Sequence, residues 1–279
     1  MMEPEVDLAG LPRLRYGEHT WLELRELARR DDVVVVLPAA TLEDHGYHLP
    51  IDTDVRLVSA IAERAVEASG GQALLFPTQV HGYTPHHLDF PGSVTLRWNV
   101  FVEALLDQGR SLCHHGFDRI LIVNGHGSNQ PLVDIAARLI GLEHRNAVAG
   151  SCFYLQSERG KQVIAEVRDS EVPGGMAHAC ELETSLYLAL EPELVQMDKA
   201  VREIPDWDSE HVWLDWSDGP LSVWPHWSGL SRSGVVGDAT LATREKGEAL
   251  LSAAVDEIGA FIAEMARRRR LPGEDHHEG

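Results

Sequence analysis

Cysteine is scarce in this chain. Cys113, Cys152 and Cys180 form an odd and scattered set. That argues against a disulfide framework and for reduced thiols in a cytoplasmic protein. Basic residues are scarce too: Lys and Arg number 24 against 44 Asp and Glu, a formal net charge of -20. So acidic a surface argues against nucleic acid or an anionic membrane as partner. No apolar run approaches the ~20 residues that a membrane-spanning helix needs. The opening residues carry Glu3, Glu5 and Asp7 and no apolar stretch, so no secretory signal is expected. There is no internal repeat and no linker-like break in composition. A single domain is expected over 1–272, followed by a polar, disordered tail over 273–279.

What remains is ample for a core: 279 residues, 44% of them hydrophobic. The short β-branched run at 33–37 and the runs at 73–76, 119–123 and 147–154 read as strands. Between them, apolar residues recur at helical spacing over 21–30, 55–69, 99–115 and 131–142. Two more helices are expected, over 178–190 and about 243–270. Strands alternating with helices imply an α/β fold, a mostly parallel sheet with helices on both faces. Residues 206–230 hold Trp207, Trp213, Trp216, Trp224 and Trp227 without helix or strand period. They read as an irregular lid, an oligomer contact, or a surface excursion that buries its own aromatics. The loop at 81–96, with His81, His86 and His87, reads as an ordered wall.

The fifteen histidines matter through their clustering. The stretch EDHGYHLPIDTD, residues 43–54, directly follows the first strand. Open α/β sheets place ligands at such strand ends. Glu43 and His45 point the same way in extended chain, and Asp54 returns after a loop forced by Pro50. Carboxylate, imidazole and carboxylate suit a divalent ion such as zinc, manganese or iron. A polar surface loop is the plain alternative. His126, between Gly125 and Gly127, follows the strand at 119–123. On a helix beginning at 178, His178 and Glu181 lie ~60° apart and share a face, whereas Glu183 points elsewhere.

Four segments, EDHGYHLPIDTD, RILIVNGHGSN, HACELETSLYLALEPELV and GVVGDATLATREKGE, resemble the creatininase family of metal-dependent amidohydrolases in order and spacing. The resemblance covers nearly the whole chain. It implies a three-layer α/β/α sandwich, usually a hexamer, with two divalent metals or a single iron or zinc. It implies Glu43 and His126 on one metal, His45 on the second, Asp54 bridging, and His178 as the catalytic acid/base. It also implies hydrolysis of a non-peptide C–N bond in a small or cyclic amide or formamide. Formamidopyrimidine-type deformylases and peptide-trimming enzymes of cofactor biosynthesis share these motifs. A non-catalytic metal-binding scaffold on the same fold is the reading from another class.

Creatininase proper carries a metal-binding Glu where this chain has Ser128. The N-G-H-G branch instead carries an acid three residues after the later His. That makes Glu181 the expected fifth ligand and Glu183 a supporting catalytic residue. The tryptophans that line the creatinine pocket are also replaced, near Phe153-Tyr154 and before His178. Creatinine itself is therefore not the expected substrate.

Overall fold

The computed structural model describes residues 13–216, 219–271, 273–274 and 276–277. Glu3, Glu5 and Asp7 lie outside them, as does part of the 273–279 tail. In chain order the main elements begin with α1 (Trp21–Leu27), β1 (Val34–Ala39), α2 (Thr53–Ala68) and β2 (Ala73–Leu75). Next come α3 (Trp98–His114), β3 (Arg119–Asn124), α4 (Gln130–Glu143) and β4 (Val148–Phe153). The chain continues through α5 (Glu158–Val167), β5 (Met176–His178), α6 (Glu181–Leu190) and β6 (Arg202–Glu203). It closes with β7 (Val236–Asp238) and α7 (Arg244–Arg267).

The four expected strands pair in parallel in the order β2-β1-β3-β4. The side chains of β1, β2 and β3 are buried on both faces, as parallel strands between helices must be, while those of the edge strand β4 are half-buried. Val34 and Val36 of β1 pack with α2, α6 and α7, while Val35 and Leu37 pack with α3 and α4. In β3, Leu121 and Val123 join the first group and Ile120 and Ile122 the second. This is the three-layer α/β/α sandwich, with one core on each side of the sheet. The chain leaves β1 for β2 on one side and comes back to β3 on the other. The ends of β1 and β3 therefore bracket the point where the winding reverses, the place where open α/β sheets leave a crevice.

Helix starts follow local chemistry. Thr20 caps α1, accepting from Glu23 N, while the Glu23 side chain accepts from Thr20 N. Thr243 caps α7 by accepting from Lys246 N. Gly247, one residue on, lies where a Cβ would collide with Ser185 O. Only glycine lets α7 approach α6 that closely. The apolar face of α7, with Leu250, Ala254, Ile258 and Ile262, is used up in the core of its own chain.

Three features depart from expectation. α5 was not signalled by the sequence. The second helix starts at Thr53, ahead of the expected 55, so Asp54 lies in the first turn of α2 and Asp52 holds the N-cap position. Finally, α6 begins at Glu181 and not at 178. Residues 176–178 form β5, the edge of a small antiparallel sheet in the order β5-β7-β6. Strands of two or three residues leave too few alternations to read. Among the described residues no helix is long and apolar enough to cross a membrane.

Candidate metal centre

Glu43 and His45 come from the segment joining β1 to α2 and Asp54 from the first turn of α2, and all three are buried. Gly46 turns this loop in the left-handed region, at φ 68°. Glu43 N donates to Ile51 O, closing the loop so that Asp54, from the first turn of α2, faces back toward it. The end of β3 is held as tightly. Asn124 donates to His126 O and accepts from His126 N, which aims the imidazole inward. Asn129 ties this turn to its neighbours, donating to Ala40 O and accepting from Tyr83 N. Gly125 is required because a Cβ there would fall 2.7 Å from Val58 Cβ on α2. Gly127 has open space around it. The first glycine of NGHG thus serves close packing against a helix, not approach to a ligand.

The carboxylate of Asp54 faces two imidazoles. Its Oδ1 is 3.3 Å from His45 Nε2, and its Oδ2 is 3.2 Å from His126 Nδ1. Glu43 Oε1 is 3.1 Å from the same His126 nitrogen. The other Glu43 oxygen accepts from the Thr84 hydroxyl. Glu183 Oε1 lies 3.9 Å from His45 Nε2, and its Oε2 accepts from Ala179 N. Yet Glu43 Oε1, His45 Nε2 and Asp54 Oδ2 have no hydrogen-bond partner although they are buried. They are near one another but not aligned as donor and acceptor. Buried polar atoms left unpaired cost ~1–3 kcal/mol each unless something meets them. Three groups of ligand atoms lie within 4.8 Å of one another: Glu43-His45-Asp54, His45-His178-Glu183 and Glu43-His87-His178.

The electrostatics agree. Burial alone would push the His126 imidazole down, but the Glu43 and Asp54 carboxylates outweigh it and raise it to about 10. His45 is likewise opposed by burial and carried upward by Asp54 and Glu183. Glu43 sits well below the usual carboxylate range despite its burial, held there by His126 and His87. Glu43, Asp54 and Glu183 together are a buried concentration of negative charge that calls for a cation.

His178 ends β5. Its Nε2 lies 2.8 Å from Asp44 O. A carbonyl only accepts, so Nε2 carries the proton and Nδ1 presents a lone pair toward Glu43, 3.7 Å away. Burial and the charge of His45 push this imidazole down.

Glu181 is absent from the cluster. Its carboxylate accepts from Asp169 N and Ser170 N and pairs with Lys246 of α7. The expectation that Glu181 joins the candidate ligands is corrected in its geometry: Glu183, not Glu181, lies beside His45 and His178. The cause is the late start of α6. Ala179 takes φ +49°, reversing the chain between β5 and α6, so His178 and Glu181 never share a helical face.

Two residues with no assigned role prove central. His86 and His87 follow Pro85 in a short turn of the 81–96 loop. His87 Nδ1 is 2.6 Å from Asp44 Oδ1, and its Nε2 is 3.8 Å from Glu43 Oε2. Burial pushes the His87 imidazole far down, while burial raises Asp44 to about 7. His86 Nε2 lies 3.1 Å from Ser128 Oγ, beside the position where the missing loop carboxylate was expected. Paired histidines in a long ordered loop were the available signal. The tryptophan segment also converges here. Trp227 stacks on His87 at 4.7 Å, and Trp216 packs on Phe153. A cavity of about 690 Å³ opens over the cluster, lined by Phe153, Trp216, Trp224 and Trp227 among others. Apart from Phe153, these aromatics come from 206–230 and not from the residues before His178.

Comparison with known proteins decides the family. The family described as "Creatininase: Creatinine amidohydrolase" matches residues 17–262. The chain belongs to the creatininase family. It is thus a creatininase-like hydrolase of C–N bonds. It is similar to creatinine amidohydrolase of Pseudomonas putida, 30% identical over 262 residues, covering 89% of this chain and 95% of that one. It is similar also to the mycofactocin precursor peptide peptidase of Mycolicibacterium smegmatis, 31% identical over 227 residues, 80% of this chain and 81% of that one. Among solved structures, one described as "Creatininase Mn" superposes with a TM-score of 0.76 at 28% identity, covering 92% of this chain and 100% of that chain. A mutant creatininase described as "Zn-Zn type" superposes with a TM-score of 0.75 at 28% identity, over 91% of this chain and 98% of that chain.

Proposed function

We propose that this creatininase-family protein hydrolyses an amide or formamide C–N bond with two divalent metals per chain, zinc or manganese. Glu43, Asp54 and His126 would hold one, and His45, Asp54 and Glu183 the other. The observation that carries this reading is the set of buried, unpartnered atoms Glu43 Oε1, His45 Nε2 and Asp54 Oδ2, on three residues whose ligand atoms lie within 4.8 Å of one another. Divalent ions there supply Lewis acidity toward a carbonyl oxygen and toward water. His178 Nδ1 is placed to take a proton from an attacking water and return it to the leaving nitrogen. Asp44 O holds the tautomer this needs. Trp227 and Phe153 give the substrate an apolar wall that limits water. Peptide trimming and pyrimidine deformylation remain within this chemistry.

The test combines metal analysis with turnover of a panel of small amides, formamides, peptides and creatinine. His178→Asn should leave metal content intact and lower kcat by ~10²–10⁴-fold. Loss of metal in that variant would make His178 a ligand and undo its role as proton carrier. Turnover by nothing on the panel, with metal bound, would favour a scaffold.

We also propose a homo-oligomer, a hexamer as the resemblance implies. With α7 committed to its own core, the exposed Trp21, Trp98, Ile135 and Leu142 are among the apolar surfaces left for it. A sedimentation mass near the chain's 30.9 kDa would refute it.

A further inference from the structure

The cavity over the cluster does not end there. A second chamber of about 700 Å³ adjoins the first of about 690 Å³. They share His86, Gly127, Ser128, Gln130 and Trp224, so they are two parts of one groove. Trp224 stands at the junction, its ring 5.8 Å from His86 and edge-on, its indole N–H donating to Ser222 Oγ. Asp134 couples the chambers. It belongs to the second, and its Oδ1 accepts from Gln130 at 2.9 Å and from Ser151 of the first chamber at 2.6 Å.

Size and chemistry together select the occupant. One cavity of roughly 300–1,000 Å³ already houses a whole drug-sized ligand. A small cyclic amide would leave the second chamber without work. The second chamber presents Tyr83, Pro131, Pro225 and Trp224 as apolar surface, with Gln130 and Ser222 as hydrogen-bonding groups. Among the described residues no Lys or Arg lines either chamber, and Asp134 adds a carboxylate. None of the undescribed residues is a Lys or Arg either. A phosphate or carboxylate on the distal part of a substrate would meet no Lys or Arg there, and His226 of that chamber already faces the Asp89 carboxylate at 3.8 Å.

We propose that the second chamber is a subsite for the body of an extended, neutral or cationic peptide-like amide. The bond to be cut lies at His178, and Trp224 sets the path between the chambers. This rests on the hydrolase reading above and narrows its substrate. A substrate held along both chambers gains binding energy remote from the cut bond, which raises turnover when the remote part orients the reacting one.

The metal-loaded full chain is assayed on terminally blocked neutral peptides of increasing length, followed by mass spectrometry. The longest are also made with one distal lysine or one distal aspartate. The expected result is a rise in kcat/KM of roughly 10-fold or more from short to long peptides, kept with lysine and reversed with aspartate. Trp224→Ala, and Pro131→Trp to fill the second chamber, should each bring the long-to-short ratio toward one. If Pro131→Trp fails to fold, Ser222→Trp fills the same space. A flat length series overturns the proposal, as does a ratio that neither variant moves. Small amides cut while no peptide is cut would overturn it and leave the hydrolase reading standing. No amide of any kind cut would bring down both. A second copy of the chain covering the groove, seen as protection of Trp224 on assembly with no length effect, would overturn it as well.

Discussion

Glu181 and Glu183 leave the first turn of α6 toward different partners: Lys246 on α7 for one, His45 in the metal cluster for the other. Two residues on a helix lie ~200° apart, so one side faces packing and the other the cleft. Glu183→Gln should therefore lower metal content and turnover together. Glu181→Gln should keep its metal and cost stability, on the order of 2 kcal/mol for a charge-assisted hydrogen bond lost. Metal analysis and denaturant melts of the two variants side by side check this. Metal lost from Glu181→Gln alone would restore Glu181 as the ligand.

The Glu181–Lys246 pair also sets a pH window. Burial would raise the Glu181 carboxyl, but Lys246 and the backbone of 169–170 carry it below its ordinary 4.5. A depressed carboxylate stabilises fully above that value and ceases to do so as pH falls through the lowered one. Lys246 is raised above its ordinary 10.5 against its own burial, by Asp169 and Glu181, so its share is lost only as pH climbs past that value. The stability gap between wild type and Glu181→Gln should be flat through neutral pH and close in acid. Melting curves of both proteins across pH measure it, and a gap that widens in acid would contradict it.

Asp54 faces both His45 and His126, each through a different oxygen. Asp54→Ala should deplete both metal positions, whereas His126→Ala should empty mainly one. Titration of each variant with zinc, read as bound equivalents, distinguishes them. Equal losses would show that Asp54 does not bridge.

Gly247 is a packing requirement of the α6–α7 contact. Gly247→Ala places a methyl against the Ser185 carbonyl, with the α7 backbone unable to yield freely. The expected cost is ~1–3 kcal/mol or more, the usual range for overpacking. A stability within a few tenths of wild type would mean that the helices shift apart easily.

Most of the fold was legible because it is local. The strand at 33–37 is an unbroken valine run closed by a leucine, and a run buried on both faces needs no partner to be recognised. That Glu43, His45 and His126 come together was legible because they lie just past strand ends in the sheet, and Asp54 because it closes the same connection. α5 and the small antiparallel sheet were not: α5 buries only Gly160, Val163 and Ile164, and the strands are two or three residues long.

The order of strands and helices, the lack of a countercharge for so many acids, and the loops that carry ligands are properties of the sequence by itself. Periodicity and strand-end position encode them within a dozen residues or so. Which glutamate enters the cluster was decided only in three dimensions. It depends on a left-handed Ala179 that delays α6 and on Lys246, 65 residues away, taking Glu181 for itself. The same holds for His87 and Trp227, which meet from loops far apart in the chain and wall the site between them. Contacts of that range depend on how whole layers dock, and side-chain spacing along one segment carries no record of it.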